Sequence, residues 1–323
     1  MATASADAKG PLKKRQRINN PRKLDKYADM TPANPLRRSL DHNGYVIVPA
    51  LLPPSSIPPL LSAARTNTAL ARSGGWPHIR SVPKQFPPWP TTPPASGIWG
   101  VQHLLHPFLP SSPTFTSLYF SPPLLAICKE LLQCTDADLV MELCNLLVGV
   151  EAAAGFALRW HRDDIPTSAT PAEEEARLRD GPAWHAQWNV ALVDDESLVV
   201  VPGSHRRART RAEREAGPED VLEGEVRVGL KAGDAVFYDN NVLHRGVYEG
   251  GKERFTVHGS VGHKGGGGTR ARNVLQHGVG EWVGNVDLGV LGEGEERDRA
   301  EGMRGRLVEM GRGKRDVGFS LEG

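Results

Sequence analysis

The sequence predicts a mainly β domain, built as a sandwich or barrel with helices packed at its side. Two observations favour this class. Short strand-like runs recur along the chain, and Gly- and Pro-containing turns separate them. The 323 residues are 39% hydrophobic, which supports one sizeable core, and an all-β domain of 200 to 250 residues is routine.

The strand predictions rest on short apolar or alternating runs that are bounded by turn residues. A turn at the start of segment 41–48 feeds a short strand, and the other predicted strands are residues 139–150, 186–193, 197–201, 234–238 and 254–261. Helices are predicted from about residue 57, over 116–134 and over 171–179. The last of these has a capping box, Thr170 with Glu173, and Pro171 at its first position.

Residues 74–100 are rich in Pro, Trp and Gly and predict neither a helix nor a regular strand. Long loops in compact domains are often functional, so we expect this segment to cover the active site. The alternative is a structural wrap that buries aromatic rings.

The two ends of the chain differ from its body. Residues 1–38 lack periodicity and predict a disordered basic tail, and residues 39–284 form the predicted catalytic domain. Residues 1–40 hold ten Lys/Arg and three Asp/Glu, so the remainder carries a net charge of about −6. Residues 285–323 are expected to be a Gly- and charge-rich extension with one short helix around Met303, Leu307 and Met310.

Location and partners are predicted from what the sequence lacks. We expect a cytoplasmic protein, because the chain shows no apolar run of membrane length, no secretory signal and no peroxisomal address. Residues 13–17 are either a nuclear import signal or a solvated basic tail. Three close cysteines, Cys128, Cys134 and Cys144, are interpreted as reduced thiols. The expected partner is a small-molecule substrate; only the basic tail hints at nucleic acid, and the oligomeric state stays open.

The candidate catalytic centre is an ordered set of His161, Asp163 and His244. Residues two apart at a strand end point to the same side, so His161 and Asp163 can bind one metal. Two imidazoles and one carboxylate can cap one face of Fe(II) and leave the opposite face open for oxygen and a co-substrate. Asp164 is the competing carboxylate, but it lacks the two-residue offset, so we assign it a supporting part.

Arg254 follows the second His by ten residues and opens an alternating strand. Its guanidinium is expected to bind the distal carboxylate of 2-oxoglutarate, and the Thr256 hydroxyl to donate to the same group. Asn145, Gln187 and Asn189 are further candidates for contacts with co-substrate or substrate, although a structural amide is equally expected for each. The run Arg206, Arg207, Arg209 and Arg211 is interpreted as a solvated basic segment.

Taken together, these motifs resemble the phytanoyl-CoA dioxygenase family of Fe(II)/2-oxoglutarate oxygenases. The resemblance covers roughly residues 40–280 and includes the runs 41–48, 161–163, 200–205 and 231–237 as well as His244 and Arg254. It implies a double-stranded β-helix, or jelly roll, with flanking helices. It also implies that the His and Asp ligands hold Fe(II), and that O2 and 2-oxoglutarate are consumed with release of succinate and CO2.

The resemblance implies a reaction type but no substrate. Halogenase relatives lack the metal carboxylate, so Asp163 favours hydroxylation or a related oxidation of an organic substrate. Two alternatives stay open: a non-catalytic nuclear binding protein on the same barrel, and an oxygenase that acts on nucleic acid or protein.

Overall fold

The computed structural model describes residues 34–151, 154–179 and 184–313. The predicted basic tail therefore lies almost wholly outside the described residues, as do residues 314–323 of the predicted C-terminal extension. Among the described residues, no helix combines the length and apolar character that a membrane crossing requires.

Antiparallel strands form the core of the domain. They are β1 (Tyr45–Val48), β2 (Ile79–Ser81), β3 (Ile98–Val101), β4 (Leu139–Val148), β5 (Phe156–Ala157), β6 (His185–Ala191), β7 (Leu198–Val201), β8 (Val226–Arg227), β9 (Ala235–Tyr238), β10 (Leu243–Tyr248) and β11 (Phe255–His263). One sheet has the order β1-β9-β6-β11-β4-β3-β2 and the other β5-β10-β7-β8. With helices flanking these two sheets, the fold is the predicted jelly roll.

The helices flank this β core. They are α1 (Pro35–Asn43), α2 (Ile57–Arg72), α3 (Ser112–Tyr119), α4 (Pro122–Leu132), α5 (Pro171–Arg179), α6 (Arg211–Glu215), α7 (Gly267–Val274), α8 (Gly280–Trp282) and α9 (Glu295–Gly311). The predicted helix 116–134 is two helices, because Pro122 and Pro123 cannot continue α3 and instead start α4.

Helix α1 includes residues 35–38, which the sequence predicted to belong to the disordered tail. The Asn34 side chain accepts a hydrogen bond from the Leu36 N–H (3.2 Å), and Pro35 occupies the first position of α1. The helix ends at Gly44, which has φ 81° and donates its N–H to Leu40 O. Residues 41–43 are therefore the last turn of a helix and not a loop.

Two other segments also differ from expectation. The Pro- and Trp-rich segment 74–100 contains β2 and most of β3, so it is partly regular strand. Helix α9 has 17 residues and buries Ala300, Met303 and Leu307, so the helix of the C-terminal extension is long and packs on β4.

Helix α5 agrees with the predicted bounds and is anchored through a buried acid. Glu173 and Thr170 form the predicted capping box (Thr170 N to Glu173 Oε2, 2.7 Å). Glu174 is fully buried and pairs with Arg209 and Arg214, and its Oε1 lies 3.5 Å from Arg162 Nε. Helix α5 is thus attached to the barrel by ion pairs.

We expect Glu174→Gln to destabilise the protein by about 3 kcal/mol or more, because loss of one partner leaves buried guanidinium groups without compensation. Urea unfolding measures this. The matched control is Glu175→Gln on the same helix, where an exposed pair with Arg179 is lost and the change should stay within about 0.5 kcal/mol. Equal effects of the two substitutions would contradict the anchoring role.

Candidate active site

The predicted ligands His161, Asp163 and His244 converge on one point. His161 forms an isolated antiparallel bridge with His244 on β10, and each backbone N–H donates to the other's carbonyl at 3.0 Å. Asp163 Oδ1 lies 3.5 Å from His161 Nε2 and 3.8 Å from His244 Nε2. All three ligand atoms lie within 4.8 Å of one another, which is the geometry of a candidate metal site.

Backbone carbonyls orient both imidazoles. His161 Nδ1 lies 2.8 Å from Arg159 O, and His244 Nδ1 lies 2.8 Å from Val242 O. A carbonyl can only accept, so each Nδ1 carries the hydrogen and each Nε2 presents a lone pair. Such contacts fix the tautomer that metal ligation requires.

The electrostatics of the site favour a neutral His161 imidazole and an ionised Asp163 carboxylate, the forms that bind a metal. Burial, reinforced by His244, lowers the pKa of His161 to about 3, so its imidazole stays neutral at physiological pH. Burial alone would raise the pKa of Asp163, but His244, His161 and the Gln187 amide outweigh it and lower that pKa. The Gln187 Nε2 donates to Asp163 Oδ2 at 2.9 Å, so this cavity residue also orients a candidate ligand.

Arg254 lies immediately before β11 and is 5% exposed. Its Nε donates to Asp195 Oδ2 at 3.2 Å, and its guanidinium lies 4.7 Å from the centroid of the Tyr248 ring. Its Nη1 is buried and has no hydrogen-bond partner among the described residues. A buried donor of this kind requires an acceptor, so the site is complementary to a bound carboxylate.

The cavity next to these groups has a volume of about 220 Å³. Besides the metal ligands and Arg254, its polar lining residues are Arg80, Gln85, Asp164, His185, Gln187, Asn189, Tyr238, Tyr248, His258, Ser260, Arg270 and Asn273. The predicted ligands and the predicted anchoring arginine therefore share one cavity.

The remaining predicted residues take different positions. Thr256 donates its hydroxyl hydrogen to Asp195 Oδ2 (2.7 Å), so it cannot also donate to a co-substrate as expected. Asn145 is not part of the cavity lining, and its Oδ1 accepts from the His103 N–H at 2.9 Å. Asn189 does line the cavity, with its Oδ1 2.9 Å from His258 Nδ1.

Asp164 has the supporting position that was expected from the sequence. Its carboxylate accepts a hydrogen bond from the Asn240 side chain, and its carbonyl accepts one from Arg177 on α5. The adjacent ligand Asp163 is fixed at its backbone, where its N–H donates to Asn240 O at 2.8 Å. Asn240 therefore holds both neighbouring aspartates in place.

The segment 74–100 serves both of the purposes considered for it. Gln85, Phe86, Pro87, Trp89 and Trp99 line the cavity, and the Phe86 ring lies 5.6 Å from that of His161. Trp99 is also 3% exposed, so the segment buries an aromatic ring while it covers the site.

The sequence did not indicate several residues that line the cavity or contact its lining. Tyr238 is the last residue of β9 and lies 5.3 Å from the His244 ring, a position that the alternation of that strand could have indicated. Asp195 and the buried pair Glu142–Arg270 carry no local signal, because each contacts a partner far away in the sequence. Arg80 was not considered because its segment was expected to lack strands.

The predicted basic run is largely neutralised. Arg207 pairs with Glu213, Arg209 with Glu174, and Arg211 with Glu215. Arg209 is 4% exposed, so the interpretation of this run as solvated is wrong at that residue.

A second group of potential ligands occurs at Cys134, Asp138 and His263. The Asp138 carboxylate and His263 Nδ1 already have partners within the protein. Lys264 Nζ lies 2.7 Å from Asp138 Oδ1, Thr135 donates to Asp138 Oδ2, and His263 Nδ1 accepts from the Gly265 N–H at 2.9 Å. Because Nδ1 carries the acceptor lone pair, the neutral ring bears its hydrogen on Nε2, which disfavours metal binding there.

The family profile described as "Phytanoyl-CoA dioxygenase (PhyH)" matches residues 40–247. This covers more than half of the chain, and the chain therefore belongs to the phytanoyl-CoA dioxygenase family, as the sequence motifs predicted. The family consists of iron- and 2-oxoglutarate-dependent enzymes, so iron and 2-oxoglutarate are the cofactors of this fold and site. The comparison with curated proteins gives no match.

Solved structures share the fold at low sequence identity. EvdMO1 aligns with a TM-score of 0.50 and 19% identity, over 70% of this chain and 49% of its own. The epimerase SnoN from nogalamycin biosynthesis, described as non-heme and alpha ketoglutarate dependent, aligns at 0.47 and 21%, over 70% and 80%. HygX from Streptomyces hygroscopicus, with nickel and 2-oxoglutarate bound, aligns at 0.49 and 16%, over 70% and 85%.

We expect His161→Ala and Asp163→Ala each to abolish binding of one Fe(II) per chain, because the site has three protein ligands and each variant removes one. Metal content after anaerobic loading and desalting measures the effect. His263→Ala is the matched control, since it alters the second group of potential ligands and should leave iron content unchanged. Full iron occupancy in either ligand variant would refute the assignment.

Proposed function

We propose that this protein is an Fe(II)- and 2-oxoglutarate-dependent dioxygenase that hydroxylates, or otherwise oxidises, a small organic molecule. Succinate and CO2 are the co-products. One observation carries the proposal: the convergent His161, Asp163 and His244 share a cavity with Arg254, whose buried Nη1 has no partner in the described part of the chain.

The residues present fit the two cofactors. The lone pairs on the Nε2 atoms of His161 and His244 and the Asp163 carboxylate form a three-ligand face for Fe(II), which supplies O2 activation when bound. In the same cavity, the Arg254 guanidinium would take a carboxylate of 2-oxoglutarate by a charge-assisted hydrogen bond. Neither role requires a side chain that acts as an acid or a base.

Asp195 positions Arg254 for this contact. It accepts from Arg254 Nε and from the Thr256 hydroxyl, and it also accepts from the Ser197 N–H at 2.9 Å. The Arg254 side chain is thereby held at its Nε edge and directs its remaining donors into the cavity. Thr256 thus contributes to co-substrate binding through Asp195.

Gln187 and Asn189 line the same cavity from β6. Gln187 holds Asp163, while Asn189 holds the imidazole of His258. Burial, reinforced by Arg80, lowers the pKa of His258 to about 3. The ring is therefore neutral at physiological pH and can form hydrogen bonds as an uncharged imidazole. We assign both amides to the orientation of groups that contact the iron or its bound co-substrate.

The substrate enters beside the aromatic segment. Phe86, Pro87 and Trp89 form an apolar cover near His161, and such a cover excludes water from the reacting face. Asp163 completes the ligand set, which favours hydroxylation over halogenation. Because the basic run from Arg207 to Arg214 is paired with Glu174, Glu213 and Glu215, a small molecule is favoured over a nucleic acid as the substrate.

The decisive experiment is a screen for substrate-stimulated succinate release by the anaerobically iron-loaded protein. One class of small molecules should raise succinate formation above the basal level, and the oxidised product should gain one oxygen atom from 18O2. Asp163→Ala should give neither signal. Iron-loaded protein that binds no 2-oxoglutarate would refute the proposal.

We expect Arg254→Lys to weaken 2-oxoglutarate binding roughly 10- to 100-fold, since the point charge persists but the two-pronged geometry is lost. Lys also keeps a cation beside the buried Asp195. Calorimetry with Mn(II)-loaded protein measures the affinity, and Mn(II) binding itself should not change. The exposed Arg65→Gln is the control, and an unaltered affinity in Arg254→Lys would contradict the anchoring role.

A further inference from the structure

Arg80 is a cation of the cavity for which the described residues provide no acidic partner. Its side chain is partly buried and lines the cavity. Within the described parts of the chain, no carboxylate lies at ion-pair distance from it, and its buried Nε has no hydrogen-bond partner. The other two cavity arginines are compensated, Arg254 by Asp195 and Arg270 by Glu142.

Aromatic rings and a glycine hold Arg80 in this position. Its guanidinium carbon lies 5.1 Å from the Trp99 centroid and 5.5 Å from the Trp89 centroid. Arg80 pairs with Gly100 across the β2–β3 ladder, and a Cβ at Gly100 would lie 3.1 Å from Arg80 Cδ. The absence of a side chain at Gly100 therefore lets the Arg80 stem lie across β3.

Arg80 is close to the end of the cavity where Arg254 lies. Across the large sheet, Arg80, Gly100, Leu147 and Thr256 are successive neighbours, and Thr256 is two residues from Arg254. The Trp99 and Tyr248 rings lie 6.0 Å apart, and the Arg254 guanidinium covers Tyr248. Tyr248 and Tyr238, which are neutral phenols, lie near Arg80, and Asp163 is the carboxylate whose negative charge acts on it.

The charges at this end match a dianion. Fe(II) with Asp163 and two neutral imidazoles carries one net positive charge, and the Arg254–Asp195 pair carries none. A dianionic 2-oxoglutarate would leave one negative charge unbalanced in a buried site, which is costly. The guanidinium of Arg80 supplies the missing positive charge.

We propose that Arg80 is a second arginine of the co-substrate site, which binds a carboxylate of 2-oxoglutarate together with the iron centre and Arg254. This inference rests on the proposed function. Trp89 and Trp99 position the guanidinium, and the carboxylate of the bound ligand serves as its ion-pair partner. The aromatic segment thus takes part in co-substrate binding as well as covering the substrate.

Calorimetric titration of 2-oxoglutarate into the full-length, Mn(II)-loaded protein without oxygen or substrate tests this role. Arg80→Gln should raise the Kd roughly 10- to 100-fold, as expected for loss of a charge-assisted hydrogen bond. Arg80→Met, which keeps the stem across Gly100, should show the same loss. Arg65→Gln, which removes an exposed guanidinium, should bind like wild type, and Mn(II) affinity should be equal in all four proteins.

The possible outcomes separate this proposal from the proposed function. If wild type binds no 2-oxoglutarate, the proposed function fails and Arg80 loses its role with it. If wild type binds and either Arg80 variant retains the wild-type Kd with an intact near-ultraviolet dichroism spectrum, Arg80 does not bind the co-substrate. That second result would leave the metal site and Arg254 unaffected.

Discussion

The antiparallel bridge between His161 and His244 is the constraint on which the site depends. It joins the chain that enters from β5 to the start of β10, and it brings the two imidazole rings to 4.3 Å between centroids. Each ring then uses a backbone carbonyl of its own segment to fix its tautomer. Because backbone groups make the bridge and accept from both rings, the positions of the two imidazoles are set without a metal. Asp163, two residues after His161, completes the set.

Most of the charged side chains around this centre are paired with a side chain of opposite charge. Arg254 and Arg270 each have an acid, and the basic run before α6 is paired with glutamates on α5 and α6. Buried charges are tolerated when they are paired and hydrogen-bonded. The one cavity cation that departs from this pattern in the described residues is Arg80, and it lies where a dianionic ligand is expected.

The sequence predicted the family and the jelly roll, and its motifs selected His161, Asp163, His244 and Arg254, which the fold brings to one cavity. Helix α5 was predicted at its correct bounds because Thr170, Pro171 and Glu173 are local signals. Asp195, Glu142 and Arg80 were not predicted. Their importance comes from partners that are tens of residues away, and only the folded chain brings these together. The contact of Thr256 was not predicted either, because its hydroxyl donates to Asp195, an acid that no local pattern indicates.

Arg162, the middle residue of the His-x-Asp motif, links the metal site to the inserted helix. Its side chain is fully buried, donates to the carbonyls of Ser204 and Arg207, and pairs with Glu174 of α5. The candidate ligands His161 and Asp163 therefore flank a residue whose side chain is fixed by Glu174 and by two backbone carbonyls. Loss of the Glu174 contacts would release Arg162, which lies between the candidate ligands His161 and Asp163. Helix α5, which contributes none of the three candidate ligands, is in this sense part of their support.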